Sequence, residues 1–279
     1  MTNPSRPVRR ASEARVTNKV QLSPEMIRLS LNAPGLKGQK LAHTDHYIKF
    51  LFVPEEADYS WPFDLADIRA TRPRHLHPVT RTYTLRRVDV ESGDMDIDFV
   101  VHSTTGLASS WASRAEIGDV IAFVGPGGAW HPEKIYSHFV FVGDETAAPA
   151  IAAGVEKLPP GATADVYVEI SGAGAEFEMP HGEGVNMRWI YRDNALHGTA
   201  LAQAVRDAGI PDKPTGWFIH GVAEMVKEMR RFLFIENEVE KKDVSISGYW
   251  RLGMTEDDWQ ASKREFVAEM ELLEAREGL

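Results

Sequence analysis

The stretch HFVFVGDETAAPAIAAGVEKLPPGATADVYVEI, residues 138–170, decides the fold. It opens on a compact apolar run at 138–143, passes through helical composition at 146–158, and returns to an apolar run at 165–170. The alternation continues downstream, with strands expected at 187–191, 216–220 and 244–249 and helices at 199–208 and 224–235. Buried strands separated by amphipathic helices predict a doubly wound parallel sheet. A last helix is expected over 256–277, where Trp259, Phe266, Met270 and Leu273 recur at roughly helical spacing. Upstream of residue 136 the period changes to two. Short runs at 15–20, 26–31, 47–53, 81–88, 95–102 and 120–124 read as strands bounded by turn residues. Such runs without a long helical pattern predict an antiparallel barrel or sandwich, and the segment 55–78, rich in proline and charge, reads as a long surface connection. The change of period divides the chain into domains at 1–136 and 137–279.

Composition limits the function. A chain of 279 residues, 43% apolar and 26% charged, is long enough for two packed domains. Its 31 basic and 41 acidic residues leave a net charge of −10, a field that repels nucleic acid and anionic lipid. With no cysteine there is no disulfide, catalytic thiol or thiolate-held metal, so a redox role needs an organic cofactor. No run approaches the length of a membrane-spanning helix, and the basic start MTNPSRPVRR leads into polar sequence. A cytoplasmic monomer with no membrane insertion is expected.

Four segments carry candidate chemistry. In Arg81-Thr82-Tyr83-Thr84, strand alternation puts Arg81 and Tyr83 on one face and Thr82 and Thr84 on the other. A cation, a phenol and hydroxyls suit a ligand that is part phosphate and part aromatic ring. Asp98-Phe99-Val100-Val101-His102 runs as a strand toward Gly106-Leu107-Ala108-Ser109-Ser110-Trp111-Ala112, a glycine turn opening a short helix. The free N–H groups at such a helix start bind pyrophosphate, and Ser109 and Ser110 add hydroxyls; Trp111 reads as a core anchor. Gly125-Pro126-Gly127-Gly128 reads as a turn closing the barrel. In the third segment, Asp144 and Glu145 precede Thr146, an expected N-cap, and Pro149, expected in the first helical turn. Two carboxylates there disfavour tight phosphate capture and favour transient binding of a nicotinamide nucleotide. The fourth, Tyr249-Trp250-Arg251, sets two aromatics and a cation at the end of the last strand. Arg188 and Arg192 suit either packing or phosphate. The spacing of the histidines, among them His43, His46, His75 and His77, gives no metal site, and neither a G-x-S-x-G elbow nor a G-x-x-x-x-G-K-[ST] loop is present.

Taken in order, RTYTLRRVD from Arg81, DIDFVVHSTTGLASSWA from Asp96, GDVIAFVGP from Gly118, GDETAAPAI from Gly143 and GYWRLG from Gly248 resemble the siderophore-interacting protein family. That family of NAD(P)H-dependent ferric-siderophore reductases sits in the ferredoxin-reductase-like superfamily, and the resemblance spans almost the whole chain. It implies an N-terminal antiparallel flavin-binding β-barrel, then a doubly wound NAD(P)H-binding domain with a C-terminal helix. It implies bound FAD, NADH or NADPH as transient co-substrate, and a ferric-siderophore as electron acceptor. By resemblance, Arg81, Tyr83 and Thr84, with Thr82 beside them, would hold the isoalloxazine and a nearby phosphate. Asp98, Phe99, Val100, His102, Gly106, Ala108, Ser109, Ser110, Trp111 and Ala112 would hold the rest of FAD. Asp144, Glu145, Thr146 and Pro149 would form the nicotinamide-side turn, and Tyr249 and Trp250 would cover the flavin. Lys49 and Arg251 would attract the anionic ferric-siderophore. Some members carry an arginine where this chain has Gly127, which leaves the siderophore class open. A general flavin or ferric reductase and a non-catalytic ferric-siderophore carrier remain as alternatives.

Overall fold

A computed structural model describes residues 10–101 and 106–277. The chain divides into two compact units, one built mainly from the residues before 130 and the other from Trp130 onward together with 22–26 and 43–45.

In the first unit, β1 (Ser12–Ser23), β2 (Met26–Asn32), β3 (Tyr47–Phe52), β4 (Val79–Thr84), β5 (Arg87–Asp89), β6 (Asp94–Val100) and β7 (Val120–Gly127) form one sheet in the order β4-β3-β7-β1-β2-β6-β5. The run expected as a single strand at 81–88 is two strands, because the chain changes partners between them. The Leu85 N–H donates to the His46 carbonyl (2.7 Å), and the Arg86 N–H donates to the Asp96 carbonyl (2.9 Å). One stretch of backbone thereby joins the two ends of the sheet and curls it into a barrel. Period-two alternation fills the interior, where Ala14, Leu29, Ile48, Phe50, Ile97 and Phe99 are fully buried.

Two other expectations for this unit are corrected. The 55–78 segment contains helix α1 (Leu65–Thr71), since Asp64 caps its first turn by accepting from the Ala66 and Asp67 N–H groups and Leu65 and Ile68 are buried three residues apart. The Gly125–Gly128 segment is no turn: β7 continues to Gly127, which pairs with Tyr47 of β3. A Cβ on Gly127 would lie 2.5 Å from Tyr47 Cζ, so glycine is what admits the ring and lets the strand run on. Helix α2 (Leu107–Arg114) begins after Gly106, and Lys19 Nζ closes its far end by donating to the Ser113 carbonyl (2.7 Å) and the Ala115 carbonyl (3.3 Å).

In the second unit, β8 (His138–Asp144), α3 (Ala148–Val155), β9 (Thr163–Ile170), β10 (Val185–Tyr191), α4 (Thr199–Ala208), β11 (Thr215–Val222), α5 (Ala223–Arg230), β12 (Val244–Trp250) and α6 (Glu256–Arg276) follow in turn. The parallel sheet has the order β10-β9-β8-β11-β12, so the order reverses between β8 and β11. Phe139, Phe141 and Phe218 pack with α3 on one face, and Val140, Val142, Trp217 and Ile219 pack with α4 and α5 on the other.

Thr255 caps α6, and Trp259, Phe266 and Met270 bury its apolar stripe together with Ala223. Leu273, expected on that stripe, is instead 42% exposed. The position four residues after Met270 is Glu274, a buried carboxylate that accepts from Arg230 Nε at 2.6 Å and pairs with Lys241 Nζ at 2.6 Å. Trp259 is fully enclosed, so Trp259→Ala leaves a large cavity beneath α6. The substitution is expected to lower unfolding stability by about 3–5 kcal/mol. Urea melts measure the loss, and hydrogen exchange should show the amides of 256–276 losing protection before the parallel sheet does.

Candidate functional site

The residues singled out by sequence fall into two groups, one in each unit. On the barrel, Arg81, Thr82, Tyr83 and Thr84 lie on β4, an edge strand that pairs with β3. Tyr83 turns its ring to the core, 4.4 Å from the Phe99 ring and 5.9 Å from Phe50. Thr82 shares the opposite face with Lys49, whose Nζ donates to Thr82 Oγ1 at 3.0 Å. Arg81, Thr82 and Tyr83 stay half-buried, whereas Thr84 is buried.

Several neighbours in this group give their side chains to the barrel. Phe99, Ala108 and Ala112 belong to its core, and Trp111 packs 5.9–6.1 Å from Phe50, Phe52 and Phe99. Asp98 is bound by Arg28 through two hydrogen bonds of 2.6 and 2.8 Å. From Asp98, Phe99, Ala108 and Ala112, a ligand is therefore offered backbone, with half-buried Val100 beside them. Gly106 opens α2 with no side-chain cap, and half-buried Ser109 directs its hydroxyl to the Gly106 carbonyl at 3.0 Å, with Ser110 next to it. His102 lies outside the described residues.

The second group gathers at the C-terminal ends of the parallel strands. Asp144 is fully buried and accepts four hydrogen bonds. Its Oδ1 receives the Thr146 N–H (2.9 Å) and the Thr146 hydroxyl (2.5 Å), and its Oδ2 receives the Val222 N–H (2.8 Å) and the Trp250 indole N–H (2.9 Å). This corrects the reading of Thr146 as a helix cap. The Asp144 carboxylate captures the Thr146 amide in an Asx-type turn, and α3 starts later, after Ala147, with Pro149 in its first turn. Gly221 (φ +141°) lets β11 approach, because a Cβ there would sit 2.7 Å from Asp144 Oδ2.

Beside Asp144, buried Arg192 bridges two further carboxylates. Its Nη2 donates to Glu145 Oε1 at 2.9 Å, and its Nη1 lies 3.4 Å from Glu169 Oε1. Glu169 also accepts the Gly198 N–H at 2.9 Å and the Leu201 N–H at 3.3 Å, which closes the start of α4. Arg192 is thus committed to protein carboxylates, whereas exposed Arg188 lies over the Tyr167 ring at 5.4 Å. Sequence reasoning did not foresee Glu169, nor His220 at the end of β11. The His220 ring stacks on Phe218 (3.9 Å, 5°), meets Tyr249 edge-on at 5.2 Å, and places Nε2 3.0 Å from Ser245 Oγ. Burial, helped by Lys263, pushes its pKa down to about 3, so the ring is neutral. Trp250 also meets His197 edge-on at 4.9 Å. Arg251 turns away from these rings: it lies over Phe266 at 5.2 Å and reaches Glu224 at 3.6 Å.

Two carboxylates share one guanidinium here, and burial, with the Asp144 charge beside it, pushes the Glu145 carboxyl up to about 7 from an ordinary 4.5, outweighing the opposing pull of Arg192. Between pH 4.5 and 7 the folded state then holds a proton that the unfolded chain has released, so stability falls as pH rises through that window. Glu145→Gln keeps an acceptor for Arg192 but cannot titrate. Its urea midpoint is expected to fall less steeply than the wild type's across the same window, and the two curves, measured at several pH values, should run parallel above it.

With this geometry in place, comparisons with known proteins converge. The family described as Siderophore-interacting FAD-binding domain matches residues 15–130, and that described as Siderophore-interacting protein matches residues 136–253. An uncharacterized protein of Mycobacterium tuberculosis (strain ATCC 25618 / H37Rv) is 35% identical over 261 residues, covering 88% of this chain and 92% of its own. Ferric vibriobactin reductase ViuB of Vibrio cholerae is 28% identical over 249 residues, covering 88% and 91%. The crystal structure of the siderophore-interacting protein SipS from Aeromonas hydrophila aligns with a TM-score of 0.77 at 26% identity, over 94% of this chain and all (100%) of that one. The barrel motifs, the parallel sheet and these matches together make this chain a member of the siderophore-interacting protein family.

Proposed function

We propose that the protein is an FAD-dependent NAD(P)H oxidoreductase that reduces ferric-siderophores and releases their iron as Fe(II). The observation that carries this reading is the donor set of β4 and α2, which lies within the residues matched by the FAD-binding family. A flavin dinucleotide needs donors for its pyrophosphate and hydrogen-bonding groups beside a flat ring. Half-buried Arg81, Thr82 and Tyr83 and the uncapped start of α2 at Gly106 are of that chemistry, so the residues fit the group. The second unit fits a nucleotide that comes and goes. The reversal of strand order between β8 and β11 is where doubly wound sheets bind nucleotides. The Asp144 and Glu145 carboxylates are consumed by internal donors there, so they neither grip phosphate nor face it as free anions. On this reading residues 1–136 form the FAD-binding domain and 137–279 the NAD(P)H-binding domain.

The flavin, when bound, supplies the means to accept an electron pair as hydride and to pass electrons on singly. The chain's own residues bind and orient. Arg81 neutralises phosphate charge, while Tyr83, braced by Phe99, and Thr84 set the position of the ring. Gly106, Ser109 and Ser110 offer donors to the pyrophosphate; backbone from 98–100, along with His102, holds the remainder. Thr146 and Pro149 shape the nicotinamide-side turn that Asp144 braces. Lys49 draws in the anionic ferric complex, whereas the Arg251 charge, expected to share that role, is turned to Glu224. Hard oxygen donors prefer Fe(III), so reduction weakens their hold on the metal and no proteolysis is needed. Donor and acceptor domains occupy one chain, which supports a monomer. No helix among the described residues is long and apolar enough to cross a membrane, and NADH and NADPH are abundant in the cytoplasm, where the proposal places the reaction.

Purified protein should take up FAD, bleach on anaerobic addition of NADH or NADPH, and regain its yellow colour with a ferric-siderophore while a ferrous chelator reports Fe(II). Turnover faster with free flavin or ferric citrate than with any ferric-siderophore would overturn the assignment. Arg81→Ala is expected to weaken FAD binding by roughly 10–100-fold, as loss of a charge-assisted contact does, read by flavin fluorescence quenching. Lys49→Ala should raise KM for the ferric-siderophore several-fold with little change in kcat, because it removes attraction common to the ground and transition states.

A further inference from the structure

A second recess lies in the same unit as Asp144 but at the other end of the sheet. It encloses about 190 Å³ near the starts of β8, β9 and β11 and beneath the last turn of α4. For scale, an apolar cavity of ~150 Å³ is enough to hold benzene. Val140 and Trp217 from the sheet and Val205 from α4 give it an apolar floor. Its polar wall is unusual. The His138 side chain is only 5% exposed, and its Nε2 has no hydrogen-bond partner although Asp165 Oδ2 is 3.3 Å away. The other ring nitrogen, Nδ1, is engaged 2.7 Å from Thr163 Oγ1. Lys213 is drawn to that same hydroxyl, with its Nζ donating at 3.1 Å.

The chemistry of this wall selects a ligand. Burial and the nearby Lys213 charge hold the His138 pKa below its ordinary value, so the ring is neutral. A cation drawn to the Asp165 carboxylate selects the tautomer that carries its proton on Nδ1 toward Thr163, and the Nε2 lone pair and the carboxylate then present two acceptors side by side. A group that fills both must bring more than one N–H. Charge points the same way, because the lining contains Asp165 and Asp212 against Lys213 alone, and Arg188 lies over the Tyr167 ring outside the lining. The C-terminal end of α4 adds partial negative charge.

We propose that this recess is a binding site for a small monocationic amine with a compact apolar or aromatic body, its ammonium seated between His138 Nε2 and the Asp165 carboxylate and its body against Val140, Val205 and Trp217. The site is separate from the residues assigned to FAD and the nicotinamide nucleotide, and it stands whether or not the reductase reading holds. Benzylamine is a suitable probe, with benzyl alcohol and benzoate as the uncharged and anionic counterparts of similar size. Titration of the full-length protein by calorimetry and saturation-transfer NMR at pH 7.5 should show saturable benzylamine binding in the roughly millimolar range or tighter, at least about tenfold tighter than benzyl alcohol, and none for benzoate. Asp165→Asn should weaken benzylamine about tenfold or more, and Ala208→Leu, which fills the mouth from the exposed end of α4, should abolish binding while leaving circular dichroism and reductase turnover unchanged. Equal affinity for benzyl alcohol, undiminished affinity in Asp165→Asn or Ala208→Leu, or absence of saturable benzylamine binding would each overturn the proposal.

Discussion

The second unit depends on a single buried carboxylate. Asp144 ends β8 and receives donors from its own turn, from the end of β11 and from the indole at the end of β12. Parallel strands have no tight turn to hold their ends in register, and here an acceptor with two oxygens does so across the point where strand order reverses. A buried anion is tolerable only when its lone pairs are filled, and four donors fill them. The cost is that this turn is acidic from within.

That acidity spreads to the next shell of residues. Glu145 and Glu169 share one guanidinium with the Asp144 charge acting on both, so the charge is not balanced by ion pairs alone. Glu169 resolves its share by accepting amides at the start of α4. Glu145 has Arg192 but little else, and burial raises its pKa into the neutral range. The polar groups of the turn are accordingly paired within the protein, which fits the proposed co-substrate, one that must leave after each turnover, better than a cofactor that stays.

The barrel follows a different logic. The proposed ligand on β4 would meet residues already anchored from behind. Tyr83 is backed by Phe99 and Phe50, and α2 is pinned by Trp111 in the core and by Lys19 at its end. Such bracing limits the motion of the groups that would orient a flat ring, at no expense of polar atoms needed by the ligand.

How much of this was legible in the sequence differs by interaction range. Backbone geometry repeats locally, so the period-two runs before residue 136 and the strand–helix alternation after it announce a barrel and a parallel sheet, and α4 falls where its pattern puts it, at Thr199–Ala208. Short motifs such as RTYT and GDETAAPAI carried the family resemblance, because each needs its residues at a local spacing. Partner choice across strands was not legible. Thr146 looked like a cap until Asp144 was found to claim it, and Leu273 looked buried until Glu274 met Arg230 and Lys241. Arg192 could have served phosphate until its neighbours 47 and 23 residues away proved to be Glu145 and Glu169. Those outcomes turn on strand register and on which groups lose their water together, quantities that exist only once distant segments have packed.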